Sequence, residues 1–287
     1  MTRWLVSLKM QKELTDLVFD VLKEYSGTVI QQETVEVLLR TEDNICEENQ
    51  QIYSHCSDKV NNSPSIHNGY PEYPLYSKLS RTLSKWMEHG KSVLSSEKPY
   101  LELPEKDDSP IKEVCNLVDL KLTFLREFWN NISISQKKAI IEEILETLQL
   151  RGILNLIGMR QTTGSVDNSP PPISSLWESF EVKHKTGANL SCGARALSKH
   201  CHRDSTSQWW GISTGSEHDK NEHASAVVEK ILGDAVWINI HLLPHDVKVL
   251  EIRNKLGYGA RWSHDGKTFR GFLEPQMHDG HSVGWRH

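Results

Sequence analysis

Residues 257–276, GYGARWSHDGKTFRGFLEPQ, contain two strand-like runs around Asp265-Gly266. Asp-Gly between such runs is a strong hairpin signal, because both residues tolerate a positive φ. A two-residue loop fixes the register. Trp262 is then expected opposite Phe269, Arg261 opposite Arg270, and Ala260 opposite Gly271. Tyr258, Ala260, Trp262, Phe269, Gly271 and Leu273 would form a core face, leaving the two arginines opposed on the other face. Directly opposed like charges cost a few tenths of a kcal/mol to about 1 kcal/mol unless something neutralises them. A planar guanidinium binds phosphate or carboxylate in a bidentate fork. The leading expectation is therefore a cleft for an anionic, phosphate- or nucleotide-like ligand, with Arg253 as a third grip. Two structural alternatives stay open: an internal ion-pair network with Glu251, Arg253 and Glu274, and plain solvation of both arginines.

Other residue types extend this candidate site. His241 and His281 are the proton-transfer candidates, chosen because imidazole titrates near neutral pH. Trp210 and Trp237 could stack on a ligand. Lys220 and Asn221 follow the Gly215-Ser216 turn, at a helix start whose free N–H groups attract anions. In KHCHR (199–203), His200 and His202 would share a face on a strand but diverge on a helix. The segment reads as a helix end, so no metal site is expected. No nucleophile elbow, zinc-protease helix, CxxC pair or phosphate-binding loop signature is present. The reaction, the cofactor and even enzyme status therefore stay open.

The elements that must position these residues change character along the chain. Residues 1–160 read as predominantly helical, with loops at 57–76 and 95–110. In QKELTDLVFDVLKEYSG, Leu14, Leu17, Val18, Val21 and Leu22 fall at helical spacing. A second helix is expected to start near Gln31 and continue toward Cys56, and a short one to end at Gly90. Two amphipathic helices follow Pro110, the second with Ser135 as its expected cap. A proline-rich linker is expected at 161–172, and a His/Trp-rich α+β unit at 173–287. In that unit, helices are expected in 186–201 and 216–232, the latter with Ser216 and Asp219 as capping pair and Gly233 as stop. Four consecutive strands then imply α+β with a mainly antiparallel sheet.

Charge divides the same way. Residues 1–182 hold 19 Lys+Arg against 27 Asp+Glu, whereas residues 183–287 hold 14 against 11 and 11 of the 14 histidines. The leading function is thus anionic-ligand binding by the C-terminal unit, as an enzyme or otherwise. The alternatives are a non-enzymatic interaction or adaptor protein, with the acidic helical half docking a protein partner, and nucleic-acid binding. A small positive excess is a modest footprint for the last. Five widely spaced cysteines argue for reduced thiols. The first residues carry too short an apolar run for a signal peptide. A location in cytoplasm and/or nucleus, with no membrane contact, is expected.

Overall fold

Helix α1 (Thr2–Glu24) buries the stripe Leu14, Leu17, Val18, Val21 and Leu22 against the other helices of the first half. The computed structural model describes residues 2–42, 69–90, 109–203 and 208–275. Helix α2 (Gln32–Leu39) stops where Arg40 turns extended, well before Cys56. The rest of that expected helix, from residue 43, lies outside the described residues, as does most of both expected loops. Helix α3 (Leu75–His89) ends on Gly90 at φ 61°, whose N–H donates to the Trp86 carbonyl. Helix α4 (Ser109–Phe128) begins inside the expected second loop. Helix α5 (Ile134–Leu156) is capped by Ser133 rather than Ser135. The reason is reciprocal bonding: Ser133 has Gln136 three residues on to return a hydrogen bond, and Ser135 has Lys138. Gln149, at φ 52°, breaks this helix about two-thirds of the way along.

Residues 159–167 run along the outer edge of the sheet. The Arg160 and Val166 N–H groups donate to Ile238 and Ile240 carbonyls at 2.7 and 2.8 Å, and Leu242 N–H to the Gly164 carbonyl at 3.0 Å. The Pro170 and Pro171 carbonyls accept from the Tyr73 and Tyr70 hydroxyls at 2.8 and 2.7 Å. The 161–172 stretch thus bonds both to the sheet and to the residues entering α3.

Helix α6 (Ile173–Glu181), unannounced by the sequence pattern, follows the prolines. Then come α7 (Cys192–Arg203) and α8 (Glu217–Gly233). The Ser216–Asp219 capping box of α8 forms as expected: Asp219 N–H donates to Ser216 Oγ, and Ser216 N–H to Asp219 Oδ2. Strands β1 (Ala235–Leu243), β2 (Val247–Asn254), β3 (Gly259–Ser263) and β4 (Phe269–Leu273) form an antiparallel meander in chain order, a 3₁₀ turn joining the first two. The fold is α+β, with eight helices among the described residues. One face of the sheet, with Ile238, Ile240, Leu250, Ile252, Ala260, Trp262 and Phe272, joins Val228, Ile231 and Leu232 of α8 in a buried cluster that also contains the α1 stripe. Period-two alternation then places Trp237, Asn239, His241, Val249, Glu251, Arg253 and Arg261 on the opposite face.

Candidate active site

Trp262 pairs with Phe269, and the Ser263 N–H donates to the Thr268 carbonyl at 2.9 Å, as the Asp-Gly register requires. The turn itself differs. It closes as Ser263–Gly266, and within it Gly266 alone takes a positive φ, 75°. The tip rests on α6: Ser179 Oγ donates to the Gly266 carbonyl at 2.7 Å, and the Trp262 indole N–H to the Leu176 carbonyl at 3.1 Å. Beyond Trp262 the register slips by one. Arg261 faces Gly271, Ala260 faces Phe272, and Gly259 faces Leu273. A bulge at Arg270 and Gly271 accounts for the slip, and Gly271 supplies its φ of 133°. Arg261 and Arg270 are therefore not opposed. Arg270 is exposed and makes no ion pair among the described residues. Phe272 takes the core position expected of Gly271.

Arg261 instead lies directly across from Glu251. Glu251 is only 3% exposed. Its Oε2 accepts from Arg261 Nη2 at 2.6 Å and Nε at 3.1 Å, and its Oε1 accepts from Arg253 Nε at 2.6 Å. His241 Nε2 lies 3.3 Å from Oε2. Burial alone would raise the Glu251 carboxyl. The His241 hydrogen bond and the charges of Arg253 and Arg261 reverse this and hold it well below the usual carboxylate range. An ionised carboxylate only accepts, so a neutral His241 must carry its proton on Nε2 and present the Nδ1 lone pair. Nδ1 of His241 and Nη1 of Arg261 have no partner among the described residues, and the two side chains are 17% and 25% exposed. A base and a cation thus stand at the solvent side of one buried carboxylate.

Arg253 carries the network onward. Its Nη1 donates to the Gly257 carbonyl at 2.6 Å and the Glu274 carbonyl at 2.8 Å. The Glu274 carboxylate accepts from Trp210 Nε1 at 2.8 Å and contacts His200 Nδ1 at 2.7 Å. Gly259 makes room for this path: a Cβ there would fall 2.3 Å from the Ile252 carbonyl oxygen and 2.7 Å from Arg253 Cγ. A hydrogen-bonded chain therefore runs from His241 on β1 to His200 on α7.

Several sequence candidates have other roles. Trp210 is fully buried, with His200, Tyr258 and Phe272 around it, and has no ring face to offer a ligand. Trp237 is also buried; its indole N–H has no acceptor among the described residues. Asn221 ties down the loop before α7, accepting from Ser191 N–H and donating to the Asn189 carbonyl, both at 2.9 Å. Lys220 lies in the first turn of α8, half-buried. His281 lies outside the described residues. His200 and His202 diverge on α7 as helical geometry requires, His200 toward Glu274 and His202 to solvent. Among the described residues no group of three metal-ligating side chains converges. The His200–Glu274 contact escaped sequence reasoning because the partners are 74 residues apart with no periodic relation.

A family model for the CdiA C-terminal tRNase toxin domain matches residues 181–274. The matched span is about a third of the chain, and it contains α7, α8, all four strands and every residue of the network. No curated protein and no solved structure matches the chain. The match overturns the expectation of a phosphate- or nucleotide-like small molecule as the ligand. The geometry agrees: Arg253 is buried on Glu251, Arg261 is anchored to it through Nε and Nη2, and the opposed arginine pair that motivated the cleft does not exist. No helix among the described residues is long and apolar enough to cross a membrane.

Proposed function

We propose that residues 181–274 form a ribonuclease domain that cleaves tRNA. The observation that carries this reading is the family match over that span. The sheet face supports it with suitable chemistry. RNA carries its own nucleophile, the 2′-hydroxyl, so cleavage needs a base to take its proton and a cation at the phosphate. His241 Nδ1 is the base. The 2′-oxygen attacks phosphorus, the bond from phosphorus to the 5′-oxygen breaks, and the departing oxygen takes a proton from water. Glu251 fixes the imidazole tautomer and stabilises the imidazolium that forms. Arg261, anchored through Nε and Nη2, offers Nη1 to the phosphate as charge develops.

The test is incubation of the purified full chain with total tRNA, followed by denaturing gel and end-group analysis. Discrete fragments ending in 2′,3′-cyclic phosphate and 5′-hydroxyl are expected. His241→Ala should slow their formation at least ~100-fold, within the range for loss of a general base. No fragments from the wild-type chain would overturn the reading, and undiminished cleavage by His241→Ala would remove His241 from it.

A further inference from the structure

In the acidic half of the chain, helix α3 gathers three cations on one side, with Glu88 at the edge of their arc. Lys78, Arg81 and Lys85 of α3 follow one another at i, i+3 and i+7. At about 100° per residue they occupy an arc of roughly 60°. The rest of the helix is committed to the core, with Leu75, Leu79, Leu83, Trp86 and Met87 all buried. Among the described residues none of the three cations makes an ion pair or a side-chain hydrogen bond. This contrasts with Lys121, Lys137 and Lys138 nearby in the same bundle, each of which meets a carboxylate. Lys78 is not a freely solvated side chain. Burial first, and then the charges of Arg81 and Lys85, push it down to about 8, with Glu72 pulling weakly the other way. Lys85 is lowered for the same reasons, with Glu88 opposing. Among the described residues Glu72 and Glu88 offset this crowding only in part; three cations held together raise the free energy of the unbound state, and a polyanion laid along the helix lowers that cost.

The position of α3 connects this face to the tRNase-like unit. The chain entering α3 is pinned to the α8–β1 corner, Gly69 N–H donating to the Ala235 carbonyl at 3.0 Å and Tyr70 N–H to the Leu232 carbonyl at 2.8 Å. The segment leading into α3 therefore adjoins the unit that holds His241, Lys78 follows Tyr70 by eight residues, and a substrate as long as a tRNA can reach both. We infer that the Lys78–Arg81–Lys85 face of α3 is a docking surface for the phosphodiester backbone of tRNA, outside the matched span and separate from the cleavage site. This rests on the ribonuclease reading for the identity of the nucleic acid. The modest positive excess of the C-terminal unit is then supplemented by a second basic element in the half of the chain that composition marks as acidic.

The experiment measures binding of fluorescent total tRNA to the full chain across a salt series, in wild type and in the Lys78→Gln/Arg81→Gln/Lys85→Gln variant. Cleavage of tRNA and of a dinucleotide too short to span both sites is followed in parallel. Each cation at a phosphate contributes about 0.7–0.9 to the slope of log K against log salt. The variant should lose roughly 2 to 3 from that slope and at least ~10-fold in tRNA affinity, while cleaving the dinucleotide at the wild-type rate. Arg81→Gln alone, at an exposed position, should lose about 1 from the slope and covers the case in which the triple variant folds poorly. Unchanged tRNA affinity and slope in Arg81→Gln would overturn the inference and leave the ribonuclease reading intact. Wild-type chain that binds tRNA through this face but never cleaves it would overturn the ribonuclease reading alone. If the wild-type chain binds phosphatidylserine vesicles through these residues and not tRNA, the face belongs to a membrane and the inference fails.

Discussion

Replacing Arg261 with Gln tests the central contact directly. In the structure Arg261 gives Glu251 two charge-assisted hydrogen bonds, at 2.6 and 3.1 Å, to a carboxylate 3% exposed. Breaking a fully buried pair costs about 3–5 kcal/mol, because one charge is left buried and uncompensated. Here two facts reduce that figure. Arg253 still holds Oε1 of Glu251 at 2.6 Å, and the Arg261 side chain is partly solvated. Relief of repulsion between Arg253 and Arg261 offsets a further few tenths. The expected loss is about 1–3 kcal/mol, which for a chain of this size lowers Tm by roughly 2–10 °C. Glu251→Gln should cost more, about 3–5 kcal/mol, since it strands Arg253 without an anion inside the protein. The assay is thermal unfolding followed by tryptophan fluorescence at pH 7, comparing Arg261→Gln, Glu251→Gln and the double variant. In the double variant the two losses should fall short of adding, since the second change removes an interaction already broken. An unchanged or raised Tm for Arg261→Gln would refute the reasoning, because that is the result for an arginine crowded by like charge and held by nothing.

Two further outcomes follow from the same network. Glu251 is depressed in the folded state from its ordinary value of 4.5, so its contribution is complete above that pH and is lost as the pH falls below it; acid titration of Tm should show a decline in wild type that is shallower in Glu251→Gln. Gly259→Ala would set a Cβ 2.3 Å from the Ile252 carbonyl oxygen and against Arg253, so it should destabilise by at least ~2 kcal/mol in urea unfolding and, under the ribonuclease reading, cut tRNA cleavage, whereas a neutral effect on stability would show that β2 and β3 are not as close as described.

What the sequence made legible was whatever depends on period and cap. The stripe of α1, the Ser216–Asp219 box, the stop at Gly90 and the four-strand meander all follow from local rules that tertiary contacts do not alter. The hairpin shows where such rules stop. Asp265-Gly266 fixed the pairing of Trp262 with Phe269 correctly, but one extra residue directly after that pair moved every partner beyond it. Nothing local to FRGFL marks the bulge except Gly271, and a glycine in a strand has several readings. With Arg270 out of the ladder, Arg261 is left facing Glu251 on β2 and Gly271 on β4, and of these only Glu251 can pair with it. The sequence did contain that possibility, since Glu251, Arg253 and Arg261 alternate onto one face. It could not rank it, because the energies of a paired and an unpaired arginine differ through burial, which is not a sequence property. The aromatic candidates failed for a related reason. Trp210 and Trp237 are types that suit stacking on a ligand, and the same apolar area drew both into the interior.

The second face of the sheet poses a final physical question. An antiparallel sheet needs only one buried face, and a buried Arg–Glu–Arg cluster is often no more stabilising than apolar side chains of the same volume. Stability therefore does not account for placing Glu251 and Arg253 under cover. Under the ribonuclease reading it has a cause. A general base on a sheet must hold one tautomer and one orientation before substrate arrives, and its partner cation must not swing away with solvent. Only an anion that stays ionised at every working pH can impose both. Glu251 meets that condition because two arginines hold its charge, and Arg253 can be one of them because the Gly257 and Glu274 carbonyls accept the two hydrogens of its Nη1. Burial thus lets a carboxylate at the centre of the face serve as a fixed reference for His241 and Arg261 at its rim.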